Sequence, residues 1–363
     1  MPFTDVVSTR VAVLVNPVGA ESTPDQADVL TQAQTVSVAL EALGYRASTV
    51  DFHPSIDVLS SRIPSAGCRA VFNLVEEAQG QNRLQFLAPT LLEVLGLPYT
   101  GNGPESLMLT TDKILAKTIM KAHGIPTPEW QEAEEDAPRR RTRAARPTIF
   151  KPRWEDASVG IDEDLIGAFT PAGAAERLRE LSEERGRTYF AERYIDGREF
   201  NVSLLEVGGV PTVLPVVEQE FRDYPPGKPR VVGYRAKWVE DSFEFVNTVH
   251  RHAFTDGDRD LIERVHALSL AAWRAFGCSG YARVDFRVDG DGRPWVLELN
   301  ANPCLSPDAG FIHAARLAGL TVEDTVRLIL DSARAGGAGK TAKAGGKTVR
   351  SPSRAGRRRK AAG

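Results

Sequence analysis

The first hundred residues alternate short apolar runs with longer amphipathic stretches. The runs at 11–16, 45–50 and 70–75 predict strands, because each is short, apolar and rich in β-branched residues. The segments 27–43 and 84–95 have helical spacing of apolar positions, and each ends at a glycine. This rhythm predicts a Rossmann-like α/β domain at the N-terminus.

The rest of the chain reads as α+β. A helix from residue 113 to 123 is closed by a glycine and two prolines, and the segments 137–147 and 221–243 are predicted as long polar loops. Further strands are predicted at 188–194, 199–206 and 214–218, further helices at 171–185 and 259–276, and a hairpin over 281–300. We therefore expect four parts: an N-terminal domain (1–104), a central subdomain (105–195), a C-terminal subdomain (196–333) and a tail (334–363).

The composition is that of a folded globular protein. The chain has 363 residues, and 42% of them are hydrophobic. It contains neither the roughly 18 consecutive apolar residues of a membrane span nor a secretory signal, so we expect a cytoplasmic protein. The three cysteines are widely separated, which predicts neither a disulfide framework nor a zinc cluster.

The charge is distributed unevenly. The net charge is −3, yet the segment 334–363 carries ten Lys or Arg and no acid; subtracting these ten charges leaves −13 for the rest. An acidic body argues against nucleic-acid binding except through the basic tail. The tail lacks hydrophobic periodicity and is predicted to be disordered.

The hairpin carries the strongest chemical signal. If its turn is centred on residues 291 and 292, Asp285 lies opposite Glu298 and Arg283 lies opposite Asn300, all on one face. Two carboxylates across a ladder repel each other unless a cation lies between them. Hard oxygen donors favour Mg²⁺, which commonly binds a few carboxylates together with substrate phosphates. The alternative is a solvent-facing hairpin with polar residues outside.

Two other segments are weaker candidates. Lys151 ends a strand and precedes a loop of small residues around Ser158, whose backbone N–H groups could cradle phosphates or form an ordinary loop. Glu192 and Glu199 lie at the ends of two apolar runs, which could equally be strand edges in water. His250 and His252 are predicted to lie on an exposed loop, with metal binding as the alternative.

In their order along the chain, these elements resemble the ATP-grasp superfamily, and within it the D-alanine:D-alanine ligase branch. The resemblance covers roughly residues 11–330. It rests on motifs at 72–76 (FNLVE), 96–101 (GLPYTG), 111–113 (TDK), 151–152 (KP), 157–160 (ASVG), 283–285 (RVD) and 298–303 (ELNANP). It implies an N-terminal α/β domain, a central lid and a C-terminal ATP-grasp domain, with ATP between the last two.

The resemblance also implies nucleotide contacts. Lys113 and Lys151 would bind phosphates, and the loop of Ser158 would close over them. The adenine and ribose would be held by a second group: Glu192, Ile195 and Glu199.

Catalytic roles follow from the same resemblance. Lys237 would reach the γ-phosphate, Arg283 would face the developing oxyanion, and two Mg²⁺ ions, or Mn²⁺ in their place, would be held by Asp285, Glu298 and Asn300. A carboxylate would attack the γ-phosphate and an amine would then attack the acyl phosphate, releasing ADP and phosphate. We expect amino acid or small peptide substrates and a homodimer.

Departures from the family cluster on the substrate side. The glutamate expected after the first strand is displaced to Glu21, and four further positions differ: Ala157, Trp238, Cys304 and Ala309. The sequence therefore leaves open a ligase for another carboxylate in specialised metabolism, or an ATP-binding regulator with impaired catalysis. For Cys304 itself, we expect use of its backbone N–H, with a nucleophilic thiol as the alternative.

Overall fold

Three β-sheets and the helices that cover them make up the part of the chain described by the computed structural model, which is residues 9–19, 21–63, 68–133, 144–161 and 163–333. The predicted tail and most of the arginine-rich loop lie outside these residues. Within them, no helix combines the length and the apolar character that crossing a bilayer requires.

The first sheet is parallel and has the order β2-β1-β3. Its central strand is apolar on both faces: Val11 and Val13 pack with the first helix, whereas Leu14 packs with helices on the opposite side. The elements of this region are β1 (Arg10–Val15), α1 (Pro24–Ala42), β2 (Arg46–Asp51), α2 (Ile56–Arg62), β3 (Cys68–Asn73) and α3 (Leu87–Val94).

The second sheet is antiparallel, with the order β4-β7-β5-β6. The region contains α4 (Pro104–Thr111), α5 (Lys113–Ala122), β4 (Trp130–Gln131), β5 (Arg146–Pro152), β6 (Ile166–Phe169), α6 (Pro171–Arg185) and β7 (Tyr189–Arg193). Asp112 caps α5, because its carboxylate accepts from the backbone of Ile114 and Leu115 at 3.1 Å. The same carboxylate pairs with Arg153 at 2.7 Å, which ties the start of α5 to the end of β5.

The third sheet has the order β11-β10-β8-β12-β13, with β9 also paired to β8. Its region contains β8 (Arg198–Val207), β9 (Val210–Val213), β10 (Val217–Phe221), α7 (Tyr234–Trp238), α8 (Phe243–Asn247), β11 (Thr248–Arg251), α9 (Arg259–Ala275), β12 (Tyr281–Val288), β13 (Pro294–Asn300), α10 (Gly310–Leu317) and α11 (Val322–Asp331). The strand predicted at 214–218 is displaced, because residues 214–216 connect β9 to β10 and the strand itself runs from Val217 to Phe221. The loop predicted at 221–243 contains the short helix α7.

Apolar and polar side chains alternate along β8 and β12, so this sheet has one apolar face and one polar face. Phe200 and Val202 on β8, with Val284 and Phe286 on β12, pack into a core covered by α5 and α9. The residues between them point to the other side and are polar. A polar face on a central strand is costly unless it is paired, so this side of the sheet is where a site is expected.

The C-terminal helices return to the first sheet. Phe311 of α10 and Ile329 of α11 lie in the same apolar core as Val36 and Leu40 of α1. Asn102 fixes the junction, because its amide donates to the carbonyls of Tyr281 (2.8 Å) and Ala301 (2.6 Å) and accepts from the backbone of Ser279. The loop before α4 is thus fastened to both strands of the hairpin.

Candidate active site

A cavity of about 440 Å³ lies on the polar face of the third sheet. The second sheet, the helix α1 and the loop after β3 also contribute residues to its wall. Every candidate site residue lines it: Lys113, Lys151, Ser158, Glu192, Ile195, Glu199, Lys237, Arg283, Asp285, Glu298 and Asn300. These residues are spread over almost 190 positions of sequence, so only the tertiary fold brings them together.

The register predicted for the hairpin is observed at the four polar positions, with Asp285 opposite Glu298 and Arg283 opposite Asn300. The predicted turn was wrong in detail. Residues 290–292 form a three-residue loop in which Gly292 has φ +73°, a conformation that suits glycine. This shifts the pairing near the turn by one residue, and a bulge beyond Asp285 shifts it back. Both Leu297 and Glu298 therefore line the cavity.

Asp285 is held by two side chains, one of which is itself held by a third. Arg283 donates to its two oxygens at 2.7 and 2.8 Å, and Asn201 donates to one of them at 2.7 Å. Gln219 in turn donates to Asn201 at 2.6 Å. This chain of amides crosses from β10 to β12 and fixes the orientation of the carboxylate.

Glu298 is surrounded by cations. Lys113 lies 3.4 Å from its carboxylate, and Lys113 also donates to the carbonyl of Glu155 at 2.6 Å. Burial alone would raise the pKa of Glu298, but the positive charges of Lys113, Lys151, Lys237 and Arg283 lower it to about 2. The side chain is therefore a carboxylate at neutral pH.

Asn300 completes the oxygen donors on the hairpin. Its side-chain oxygen accepts from the backbone of Asn302 at 2.8 Å, which leaves one lone pair for a further partner. Two carboxylates and an amide oxygen are hard donors that fit Mg²⁺. No group of three or more His, Cys, Asp or Glu in the described ranges is arranged to hold a metal, so a cation here would need oxygens from a ligand as well.

Glu192 bridges two lysines. Its carboxylate lies 2.5 Å from Lys151 and 2.6 Å from Lys117, and its side chain is 1% exposed. Burial would raise the pKa of Glu192, but the two ammonium groups lower it. No pattern in the sequence singles out Lys117, which is an ordinary helix position until the fold buries it.

Glu199 is paired with another residue that the sequence reasoning missed. Arg287 lies 2.9 Å from Glu199 and donates to the carbonyl of Ile195 at 2.9 Å. Arg287 follows Arg283 and Asp285 at every second position of β12, so strand alternation was the signal that could have found it.

Ser158 lies in a loop that touches the segment bearing Lys237. Its hydroxyl donates to the carbonyl of Val232 at 2.7 Å, and Trp238 donates to the carbonyl of Ala157 at 3.1 Å. Ala157 and Ser158 both have positive φ, +55° and +62°, which is costly for residues with a Cβ. The two segments hold each other over the cavity.

The end of the cavity nearest α1 is acidic. Gln32 donates to Asp28 (3.4 Å) and to Glu76 (3.0 Å), while Asp28 also accepts from Cys304 and Ser306. Burial raises the pKa of Glu76 to about 7, and the charges of nearby aspartates act in the same direction. Glu21 is exposed and does not line the cavity.

The placement of two histidines was only partly predicted. Both are exposed, as predicted, but His250 is on β11 and lines the cavity instead of lying on a loop, whereas His252 follows that strand. Both rings lie within 6 Å of the ring of His313. Burial, and then the neighbouring His313, lower the pKa of His250.

Comparison with known proteins identifies the family. The family described as D-ala D-ala ligase C-terminus matches residues 119–331, which is more than half of the chain. This chain belongs to the D-alanine–D-alanine ligase family. A D-alanine–D-alanine ligase of Synechococcus sp. is 32% identical over 319 residues, covering 87% of this chain and 91% of its own length. A protein of Sinorhizobium fredii known as y4sG, which is uncharacterized, is 34% identical over 72% of this chain and 74% of its own.

Structural comparison gives the same fold. A crystal structure of D-alanine–D-alanine ligase from Bacillus anthracis, complexed with ATP, superposes with a TM-score of 0.68 and 22% identity, covering 90% of this chain and 96% of that chain. The expected ATP-grasp fold is confirmed. As a member of this family, the protein is an ATP-dependent ligase that forms a carbon–nitrogen bond.

Proposed function

We propose that this ligase activates the carboxylate of an amino acid or small peptide with ATP and Mg²⁺, then joins it to an amine. One observation carries the proposal: five cationic or metal-binding side chains from four elements converge on one cavity. These are Lys113, Lys237, Arg283, Asp285 and Glu298.

The cationic end of the cavity suits a triphosphate. Lys113, Lys151 and Lys237 would neutralise phosphate oxygens, which is the main requirement of phosphoryl transfer. The loop of Ser158 would cover them with backbone N–H groups and exclude water. On the same proposal, the base and sugar would contact three residues at the neighbouring edge: Glu192, Ile195 and Glu199.

Asp285, Glu298 and Asn300 would hold Mg²⁺, which would supply positive charge to offset the negative charge of the nucleotide phosphates. Arg283 lies beside Asp285, so its guanidinium is positioned to stabilise an oxyanion as the amine attacks the acyl phosphate. That attack forms the amide bond and expels phosphate. Lys237, whose pKa is lowered first by burial and then by Arg283, would gain a counter-charge when a phosphate arrives.

The acidic end of the cavity suits the ammonium group of an amino acid or peptide, D-alanine included, so the second candidate function, a carboxylate substrate other than D-alanine, rests on the residues beside it that depart from the family. Asp28 and Glu76 accept from neutral donors only, and no lysine, arginine or histidine of the described chain forms an ion pair with either. A substrate ammonium group would supply the missing charge. Cys304 donates to Asp28, and Trp238 lines the same cavity, so both departures from the family support a changed substrate pocket.

An ADP-release screen tests both candidates. Wild-type protein with ATP and Mg²⁺ would be given pairs of amino acids and dipeptides, and products would be identified by mass spectrometry. We expect ADP release only with a matching pair, and loss of release in Lys237→Met. Nucleotide binding without ADP release from any pair would instead favour the catalytically impaired regulator.

Three further expectations stay proposals. The four-part division at residues 104, 195 and 333 follows the three sheets and can be tested by limited proteolysis. A homodimer can be tested by sedimentation, and a cytoplasmic location is proposed because the reaction consumes ATP.

A further inference from the structure

Lys117 is a buried cation that the reaction as described does not use. It lies one helical turn after Lys113 on α5, so the two side chains leave the same face of the helix. Lys113 reaches the cavity wall, but Lys117 does not line the cavity, and its side chain is only 1% exposed. It therefore cannot touch a nucleotide directly.

The partners of Lys117 are fixed. Its ammonium group lies 2.6 Å from Glu192 and donates to the hydroxyl of Thr127 at 2.9 Å. The other oxygen of Glu192 lies 2.5 Å from Lys151. One buried carboxylate thus serves two ammonium groups, and only one of the two, Lys151, faces the cavity.

This sharing matters when Lys151 meets a phosphate. If Lys151 were the only partner of Glu192, moving its charge towards a phosphate would leave a buried carboxylate without a counter-ion, which costs several kcal/mol. Since Lys117 stays in place, Glu192 keeps one counter-ion throughout. Burial lowers the pKa of Lys117, and the nearby charge of Lys151 acts in the same direction, while Glu192 opposes both.

We propose that Lys117 is a positioning residue that keeps Glu192 neutralised and so releases Lys151 to bind a nucleotide phosphate. The proposal rests on the proposed role of Lys151 in nucleotide binding. It explains why a lysine is buried where an apolar side chain would pack at lower cost.

A double-mutant cycle on nucleotide binding tests this. The dissociation constant of a non-hydrolysable ATP analogue with Mg²⁺ would be measured by calorimetry for wild type, Lys117→Met, Glu192→Gln and the double variant. Lys117→Met should weaken binding by about tenfold or more. In the Glu192→Gln background the same change should have little effect, because a neutral amide no longer retains Lys151.

Controls separate the proposal from a general loss of structure. Lys121→Met, an exposed lysine on the same helix, should leave binding unchanged. Melting temperatures would be recorded for each variant, and one that does not fold would be replaced by Lys117→Gln. Equal weakening by Lys117→Met in both backgrounds, or a lower melting temperature with unchanged binding, overturns the positioning role.

Two further results would refute the proposed nucleotide site itself and are distinguishable from a failure of the role of Lys117 alone. If wild type binds no analogue, the nucleotide site itself is wrong. If wild type binds but Lys151→Met binds equally well, then Lys151 has no phosphate contact and the role of Lys117 falls with it.

Discussion

Replacing Glu298 by glutamine removes the one negative charge that Lys113, Lys237 and Arg283 share. At 3.4 Å and an effective dielectric constant of about 20, the attraction to Lys113 alone is about 5 kcal/mol. Burial offsets part of it. The pKa of Glu298 falls from 4.5 to about 2, which corresponds to about 3 kcal/mol of net stabilisation.

Two effects of Glu298→Gln should therefore be measurable. The free enzyme should melt at a lower temperature, because Lys113, Lys237 and Arg283 lose a counter-charge that all three share. Turnover should fall by about 10²- to 10³-fold, as expected when a charge partner of the transition state is lost. Steady-state ADP release at saturating ATP, titrated with Mg²⁺, measures the second effect, and scanning fluorimetry measures the first.

The matched control is Glu206→Gln on β8, where the carboxylate accepts from the backbone of Gly280 and does not line the cavity. It should leave turnover and its Mg²⁺ dependence unchanged. If Glu298→Gln melts earlier but turns over at the wild-type rate, Glu298 is only a structural ion-pair partner, and the metal assignment is refuted.

Other outcomes follow from single contacts. Burial would raise the pKa of Glu244, but its bonds to Lys228, to its own backbone N–H and to Arg235 together lower the pKa to about 2. Its stabilising contribution is therefore present above about pH 4.5 and lost as pH falls towards 2, and Glu244→Gln should flatten this part of the acid-unfolding curve. Burial raises the pKa of the Cys304 thiol, which keeps it protonated and unreactive. Cys304→Ser should therefore retain ligase activity, and iodoacetamide should not inactivate wild type. Rapid inactivation by iodoacetamide would restore the hypothesis that Cys304 is a nucleophile. Gly197 has φ +149°, and a Cβ added there would overlap the carbonyl oxygen of Val288. Gly197→Ala should therefore lower the melting temperature markedly. A melting temperature equal to that of wild type would contradict this geometry.

The hairpin shows why a correct site prediction can rest on partly wrong detail. Alternation along 281–288 and 294–300 placed Arg283, Asp285, Glu298 and Asn300 on one face, as observed. The turn, however, is one residue different from the prediction, and the bulge compensates for it. Local sequence does not determine a bulge, because the extra residue is accommodated by contacts with the rest of the sheet.

Some short helices were missed because their signals are weak locally. The helix α4 (Pro104–Thr111) follows the glycine-rich segment 101–103, which reads as a turn, and is held by Ser106, whose hydroxyl donates to the carbonyls of Phe276 and Gly277. Those partners lie 170 positions away in sequence. Tertiary contacts of this kind override propensity in short elements.

By itself, the sequence determined the elements with strong periodicity, the ATP-grasp resemblance and the residues that line one cavity. The tertiary structure decided what surrounds them: Lys117 became a buried partner of Glu192, and Asp28 and Glu76 became an acidic part of the cavity wall. The physical reason is the distance along the chain over which each property is determined. Periodicity reports which face of an element is buried, whereas charge, burial and pKa depend on neighbours far away in the chain, which only packing brings into contact.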